Sequence, residues 1–557
     1  MKVVSLKYLL IITFFSLSFS LLASERDLLL IGGGLKFCSS YSTKNCLKTI
    51  NYSDDAYTTN YYRVLPERIA LIKADHFKSF GTVEVASNIV ALLNKYTLRF
   101  NQAKVTRSEL LSRLDNLKLT DTQILGRKIL DSLSPKEWDF VFHTLTEPVT
   151  DALGKPLTEF VNLENSDPHS VEIIQHFVDL VKNKSPSKKP LVLVSTASAN
   201  NPFDAVSFYI QLFGHFEVDV AWLPLDANLN QILNEKDLSC TDLDNNRSKA
   251  FSQFNRETIY PFLTKYQKRF CENPQYIEQL INRADGLFFN GGDQYLTLKA
   301  FSNTNIKPNK FSEYYLSLKR RFNLGQIVVA GTSAGSAVQS GGEINGQIVP
   351  MVTNGPSIDG LFNGSVYTNQ PPSKQCSFEK SCEQGTSLDS LTYFKNGGFD
   401  LLPIGLVDTH FSQRNRLFRL IRLLADTQLS TGFGIDENTA LHIRQVNGES
   451  IYNAIGEAGV WKVKTSRHLM VPNTKPQALN NSTKFLINVM HQGDSASIEK
   501  LGWLGDDIIA KMITRAASDQ SLKSREKVSY KERSAKVNLE LKDEKLRFQL
   551  EVLMDID

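Results

Sequence analysis

Val328-Val329-Ala330-Gly331-Thr332-Ser333-Ala334-Gly335-Ser336-Ala337 is the stretch on which the reading of the fold turns. The run Gln326–Ala330 predicts a buried strand, Gly331 and Gly335 bracket Ser333, and small residues then open a helix. A Gly-x-Ser-x-Gly sequence between strand and helix pushes the serine hydroxyl out at the strand's C-terminal end. The glycines let the backbone bend and a substrate come close. The N–H groups at the helix start, Ala334 first, point where negative charge would develop on an attacked carbonyl. Alone, these five residues fit an ordinary glycine-rich strand–helix turn equally well.

The neighbouring stretches repeat the pattern. Gly286–Phe289 is a second apolar strand that ends in Asn290-Gly291-Gly292-Asp293-Gln294, with a helix predicted over Tyr295–Ala300. Pro190–Thr196 and Val218–Leu225 read as strands flanking a helix over Ala205–Phe213. Asp27–Ile31 runs into Gly32-Gly33-Gly34, and Leu401–Asp408 ends at Asp408-Thr409-His410. Strands alternating with helices predict an α/β fold, a parallel sheet with helices on both faces. Such sheets carry their sites at the C-terminal ends of the strands. Gly32–Gly34 lacks Gly-x-Gly-x-x-Gly spacing, so it is not read as a nucleotide loop.

The chain has 557 residues, 41% of them hydrophobic, and a net charge of +4 spread along its length. Nothing in that charge points to nucleic acid or to an acidic membrane surface. Lys2 and Lys7 precede the apolar run Tyr8–Leu22, and Ala23-Ser24 follow, which is the pattern of a signal peptide over residues 1–24. The expectation is an exported protein, periplasmic or extracellular, with no membrane span after cleavage. Six cysteines fall in three local groups, Cys38/Cys46, Cys240/Cys271 and Cys376/Cys382, which in an exported chain favours disulfides over a metal site. Residues 37–188 read as a mainly helical insertion, with helices over Phe80–Tyr96 and Ser108–Leu133. A catalytic domain is expected from 25–36 plus 189–465, and a small β-containing C-terminal extension from 466–557, closing in a hairpin of Val537–Leu541 and Leu546–Val552. Asn354–Gly398, rich in Gly, Ser, Asn and Pro, reads as an elaborated loop on the rim of the site.

A serine hydroxyl needs a base to take its proton. His410, between a strand end and a helix, is the best candidate, and Glu437 in Gly434-Ile435-Asp436-Glu437-Asn438-Thr439-Ala440 the candidate for the acid that holds the imidazole. Asp408 lies too close along its strand to be assigned that part; Asp436, Glu343 and Asp359 remain rivals. Arg414, Arg416 and Arg419 follow His410. Arg416 and Arg419 stand at i, i+3, and guanidinium forks beside a nucleophile suit carboxylates. Taken locally, a solvated basic helix face explains them as well.

Together, Phe289–Gln294, Gly331–Gly335, Asp408–Phe411 with its three arginines, and Gly434–Ala440 resemble the cyanophycinase family. These are serine exopeptidases of the class I glutamine amidotransferase-like fold, a parallel-sheet three-layer α/β/α sandwich, related to aspartyl dipeptidases. The resemblance covers roughly Asp27–Lys36 plus Lys189–Trp461. It implies Ser333 as nucleophile, His410 as base and Glu437 as its orienting acid. The N–H groups of Gly292 and Ala334 would form the oxyanion hole. Gln294, Asp408, Thr409, Arg414, Arg416 and Arg419 would line the substrate pocket, with Asp408 or Asp293 free to hold a substrate arginine. The implied substrate is cyanophycin, multi-L-arginyl-poly-L-aspartate, cut to β-Asp-Arg dipeptides without cofactor or metal. A homodimer is the family's suggestion. Thr409 stands where several members have Gln, which keeps other Asp-containing peptides open as substrates of a dipeptidase or isopeptidase. A non-catalytic binding protein on the same scaffold would have no need of all three residues, and an amidotransferase would carry Cys where Ser333 stands.

Overall fold

The computed structural model describes residues 25–73, 81–119, 123–303, 311–465, 483–492, 508–518, 522–531, 533–542 and 547–554. The expected signal peptide, 1–24, and the tip of the terminal hairpin, 543–546, lie outside the described residues.

Among the described residues, fourteen strands form two large sheets: β1 (Arg26–Ile31), β2 (Leu191–Ser195), β3 (Asp219–Leu223), β4 (Gly286–Phe289), β5 (Val328–Thr332), β6 (Leu406–Thr409), β7 (Thr431–Ile435), β8 (Thr439–Val446), β9 (Glu449–Gly456), β10 (Val460–Thr465), β11 (Thr483–Met490), β12 (Lys523–Tyr530), β13 (Arg533–Leu541) and β14 (Arg547–Met554). The first sheet has the order β9-β8-β1-β5-β4-β2-β3. Its five strands from β1 to β3 are parallel, and β8 and β9 close the other edge antiparallel. Leu28 and Leu30 face one core, Leu29 and Ile31 the other, and all four are fully buried. A strand apolar on every residue is what a sheet covered on both faces requires.

One face packs on α2 (Pro168–Lys184) and α3 (Val206–Gly214), through Phe177, Val181 and Phe213. The opposite face packs on α4 (Gln294–Phe301) and on Tyr315, Leu318 and Phe322 of the helix Glu313–Asn323. Burying each such side chain is worth roughly 1.5–3 kcal/mol, so these two layers hold the parallel strands in register.

The second sheet, β6-β7-β10-β11-β14-β13-β12, corrects two expectations. The His410 strand, expected in the parallel sheet with Ser333, belongs here instead. The free edge of β1 is taken by β8 over six residue pairs, so β6 pairs in parallel with β7. The C-terminal residues are no separate appendage: β11 to β14 supply four of this sheet's seven strands, and β13 and β14 form the expected terminal hairpin. Two helices, α5 (Leu417–Asp426) and α6 (Ile508–Ser518), join its hydrophobic core.

Within 37–188, a separate core joins α1 (Val83–Arg99) to the helices Arg107–Asp115 and Gly126–Asp131 through Leu92, Leu93, Leu110 and Leu130. The single helix expected over Ser108–Leu133 is therefore two, parted where Lys118 bridges Leu125. Because α2 packs on the first sheet, this helical unit ends before Pro168. The Asn354–Gly398 rim is more ordered than a loop: Met351–Asn354, Leu391–Phe394 and Ser365–Tyr367 pair into a small sheet. Disulfides join Cys38–Cys46, Cys240–Cys271 and Cys376–Cys382, each within one of the three groups. Among the described residues no helix is long and apolar enough to cross a membrane.

Candidate active site

Ser333 leaves β5 with φ 52° and ψ −114°, a sparsely populated backbone conformation, and a single helical turn, Ala334–Ala337, follows it. Strain of this kind costs about 1–3 kcal/mol and persists where the surroundings impose it. Here they do: Ser333 N–H donates to the Ile31 carbonyl at 2.9 Å, and the Ser336 hydroxyl donates to the Gly331 carbonyl. The hydroxyl is thereby turned out of the sheet.

His410 follows β6 of the second sheet, and Glu437 sits in the link that carries the chain from β7 back to β8 of the first. The two sheets thus meet at the site. Ser333 Oγ lies 2.7 Å from His410 Nε2, and His410 Nδ1 lies 2.6 Å from Glu437 Oε1. A serine hydroxyl in reach of an imidazole whose far nitrogen is held by a carboxylate is the arrangement that makes serine nucleophilic. The rivals for the third position are elsewhere. Asp436 is fully buried and accepts hydrogen bonds from Ser412 N, Gly459 N and the Trp461 indole. Asp359 takes the Asn363 amide on its own helix, and Glu343 is exposed on a two-strand turn.

Gly32–Gly34 joins these parts, a role the residue pattern did not reveal. The Gly32 carbonyl accepts His410 N–H at 2.8 Å, and the Gly33 carbonyl accepts Asn438 N–H at 2.8 Å. Gly33 has φ +98°, and a Cβ there would sit 2.3 Å from the His410 ring; one on Gly34 would sit 2.6 Å from Glu437. The turn after β1 is glycine because histidine and glutamate occupy the space of its side chains. Gln413 adds a further support by accepting Glu437 N–H at 2.9 Å.

Gly292 and Ala334 border the same cleft as Ser333, a concavity of about 350 Å³. Ala334 is the first residue of its helical turn, so its N–H has no acceptor within the turn. Gly292 has φ +146°, and a Cβ would strike the Ser198 carbonyl at 2.1 Å. Ser198 in turn donates its hydroxyl to Asn290 and accepts Asp293 N–H. Gln294 also lines the cleft and donates to the Val352 carbonyl at 2.6 Å, tying α4 to the rim.

The arginines divide. Arg419 and Asp408 are both almost fully buried and form a two-pronged pair, with Arg419 Nε 2.7 Å from Asp408 Oδ2. Arg416 reaches the same carboxylate at 3.4 Å and donates to the Thr409 carbonyl at 2.7 Å. Arg416 is the residue just before α5 and Arg419 lies inside it, so they are not a solvated helix face. The expectation that Asp408 is free to hold a substrate arginine is corrected: its oxygens are taken, because a carboxylate this deep needs its counter-charge. Burial favours its neutral form, but Arg419 and Arg416 outweigh that and hold the carboxyl below the usual range. Asp293 is also committed, capping α4 through Tyr295 N–H. What faces the cleft openly is Arg414, exposed at the turn after His410, and Asp389 on the rim.

The buried pair makes a stability prediction. Asp408→Asn leaves the Arg419 charge buried and uncompensated, and is expected to cost about 3–5 kcal/mol. Urea denaturation checks it as a lowered midpoint at unchanged slope. Arg419 also holds the Gly355 carbonyl at 2.6 Å, so the rim should loosen with it.

Burial disfavours the His410 imidazolium; Glu437 opposes this, while Arg414 and Arg416 add to it, and the net shift is downward from 6.5. The ring is therefore neutral, and able to accept a proton, at neutral pH. With His410 as the base, protonation would block it, and activity is expected to fall as pH drops through this lowered value. The acidic limb of kcat/KM against pH is expected below 6.5, and Arg414→Gln is expected to move it upward by removing a nearby positive charge.

The fold and site define an α/β protein with a Ser-His-Glu constellation at the C-terminal ends of its strands. No protein-family profile matches the chain. Curated proteins do: it is 28% identical over 191 residues to a cyanophycinase of Nostoc sp., covering 34% of this chain and 49% of that protein. The same figures hold for a cyanophycinase of Trichormus variabilis. A cyanophycinase of Geminocystis herdmanii is 23% identical over 222 residues, 39% of this chain and 64% of its own. The chain spans about half the length of the first two relatives. Among solved structures, the crystal structure of a peptidase from an acI-B1 actinobacterium matches with a TM-score of 0.31 at 16% identity, over 58% of this chain and 90% of that one, too loosely to carry an argument. The chain is thus similar to cyanophycinases along part of its length.

Proposed function

We propose that this protein is an exported serine exopeptidase of the cyanophycinase kind, built on an amidotransferase-like three-layer α/β/α domain, that releases β-Asp-Arg dipeptides from cyanophycin. The observation that carries this reading is the continuous hydrogen-bonded line from Ser333 Oγ through His410 to Glu437, at 2.7 and 2.6 Å. In the proposed reaction Ser333 attacks the backbone carbonyl at the chain end while His410 Nε2 takes its proton. Glu437 keeps the second imidazole proton on Nδ1 and stabilises the imidazolium. The N–H groups of Gly292 and Ala334 hold the oxyanion; one such donor is worth about 3–4 kcal/mol of barrier. His410 then protonates the leaving amine and later draws a proton from the water that frees Ser333. Arg414 meets a substrate carboxylate. With Asp408 and Asp293 committed elsewhere, Asp389 is the carboxylate left to meet a substrate guanidinium. The signal-like N-terminus and three disulfides support export.

The test is digestion of purified cyanophycin by the mature, disulfide-intact protein, with products identified by mass spectrometry. Release of β-Asp-Arg is expected; intact polymer after prolonged incubation would remove the substrate assignment. A second reading, hydrolysis of other Asp-containing peptides by the same residues, is favoured by Thr409, whose short side chain borders the cleft. Faster turnover of β-aspartyl dipeptides than of polymer would select it.

A further inference from the structure

A second cavity, of about 310 Å³, opens between the loop after β1 and the start of α3. It shares no lining residue with the catalytic cleft. Four rings stand around it: Tyr41 and Tyr57, with centroids 5.1 Å apart, and Phe37 and Phe208, 6.1 Å apart. Two carboxylates complete it, Glu159 and Asp204.

The two carboxylates differ: Glu159 is buried with one oxygen unpaired, and Asp204 is exposed. Glu159 is 5% exposed; its Oε1 takes the Ser39 hydroxyl at 2.5 Å, and its Oε2 has no partner among the described residues. Asp204, exposed at the mouth, uses one oxygen, Oδ1, for the Asn201 amide and the Tyr260 hydroxyl, leaving Oδ2 open to an incoming donor. A carboxylate taken from water without full pairing is costly. Burial accordingly pushes the Glu159 carboxyl up to about 7. The walls are built to stay in place. The Cys38–Cys46 disulfide closes the loop bearing Tyr41, and Cys38-Ser39 pairs with Val161-Asn162 beside Glu159. The Ser40 hydroxyl donates to the Tyr57 carbonyl at 2.7 Å.

Aromatic faces attract cations, and an incoming positive charge supplies what the two free oxygens lack. A flat guanidinium suits both: it stacks on rings and offers several donors in a plane. We propose that this cavity is a second binding site, outside the catalytic cleft, for a guanidinium-bearing side chain such as arginine. The site stands on its own geometry and does not depend on the hydrolase reading. If both hold, it would grip a side chain of a multi-arginine polymer near the triad, since Leu35 lines the cavity and the adjacent Gly34 abuts Glu437.

The experiment is calorimetric titration of the full, disulfide-intact chain with Nα-acetyl-L-arginine amide, whose one charge is the guanidinium. Saturable binding is expected, weakened at least tenfold by Glu159→Gln and by Asp204→Asn, with hydrolysis of a short peptide unchanged in both. Should either variant fold poorly by circular dichroism, Tyr41→Ala, at a ring already 44% exposed, is expected to weaken binding at least threefold. Absent binding to the wild-type chain, or affinity unchanged in the folded variants, would overturn the site. Equally tight binding of Nα-acetyl-L-lysine amide would overturn its assignment to guanidinium.

Discussion

Ser333→Ala is expected to lower kcat by about 10⁴–10⁶-fold while leaving the melting temperature nearly unchanged. The asymmetry follows from where the hydroxyl points. Its contact is His410 Nε2 at 2.7 Å, and the unusual backbone at Ser333 is imposed by bonds to Ile31 and through Ser336 that alanine leaves intact. The substitution removes one partly exposed oxygen and no packing. His410→Ala should cost a comparable factor, and the double variant little more than either single one, because residues that act as a unit are not additive. Steady-state rates on one peptide substrate, measured beside thermal unfolding, check both halves. Losses that multiplied would mean that Ser333 and His410 act independently.

Gly33→Ala should be almost as damaging although no part of Gly33 takes part in the chemistry. A methyl group there would overlap His410 Cε1 at 2.3 Å on a backbone with φ +98°. Either the imidazole swings away from Ser333 or the turn after β1 shifts, and the Gly33 carbonyl that holds Asn438 N–H shifts with it. Losing the base in this way is expected to cut kcat by about 10³–10⁴-fold. The strained backbone adds about 1–3 kcal/mol of destabilisation. Kinetics and a urea transition separate the two effects. The fall in kcat should exceed anything the unfolded fraction explains. A fully active Gly33→Ala would show that the ring does not occupy this position.

The parallel strands were legible because burial on both faces leaves a local mark: Leu28-Leu29-Leu30-Ile31 or Leu287-Phe288-Phe289 can hardly be anything else. The turns after them were legible for the same reason, since Ser333 and His410 each end a short apolar run. Which strand lies beside which was not. The Leu406–Thr409 strand is buried throughout like its parallel counterparts, and nothing within it says that β8 already occupies the edge of β1. The C-terminal strands β12 to β14 alternate in burial and mark a sheet with one covered face, but not that the sheet is the one that carries His410. Glu437 stood apart from Asp436 through resemblance, and only three-dimensional contacts show Asp436 spent on Ser412, Gly459 and Trp461. Gly32–Gly34 resembled a weak phosphate loop because glycine records freedom from a side chain without recording what fills the space. The fate of Asp408 was hidden likewise: its pairing with Arg419 spans eleven residues and depends on burial that no local pattern shows.

Activation of Ser333 as a nucleophile can be tested without knowing the substrate. The mature protein would be treated at neutral pH with a fluorophosphonate, and the adduct located by peptide mass spectrometry. One adduct is expected, on Ser333, formed slowly or not at all in His410→Ala and slowed as pH falls below the histidine transition. A folded, disulfide-intact protein that stayed unlabelled, or carried the label on another residue, would contradict it.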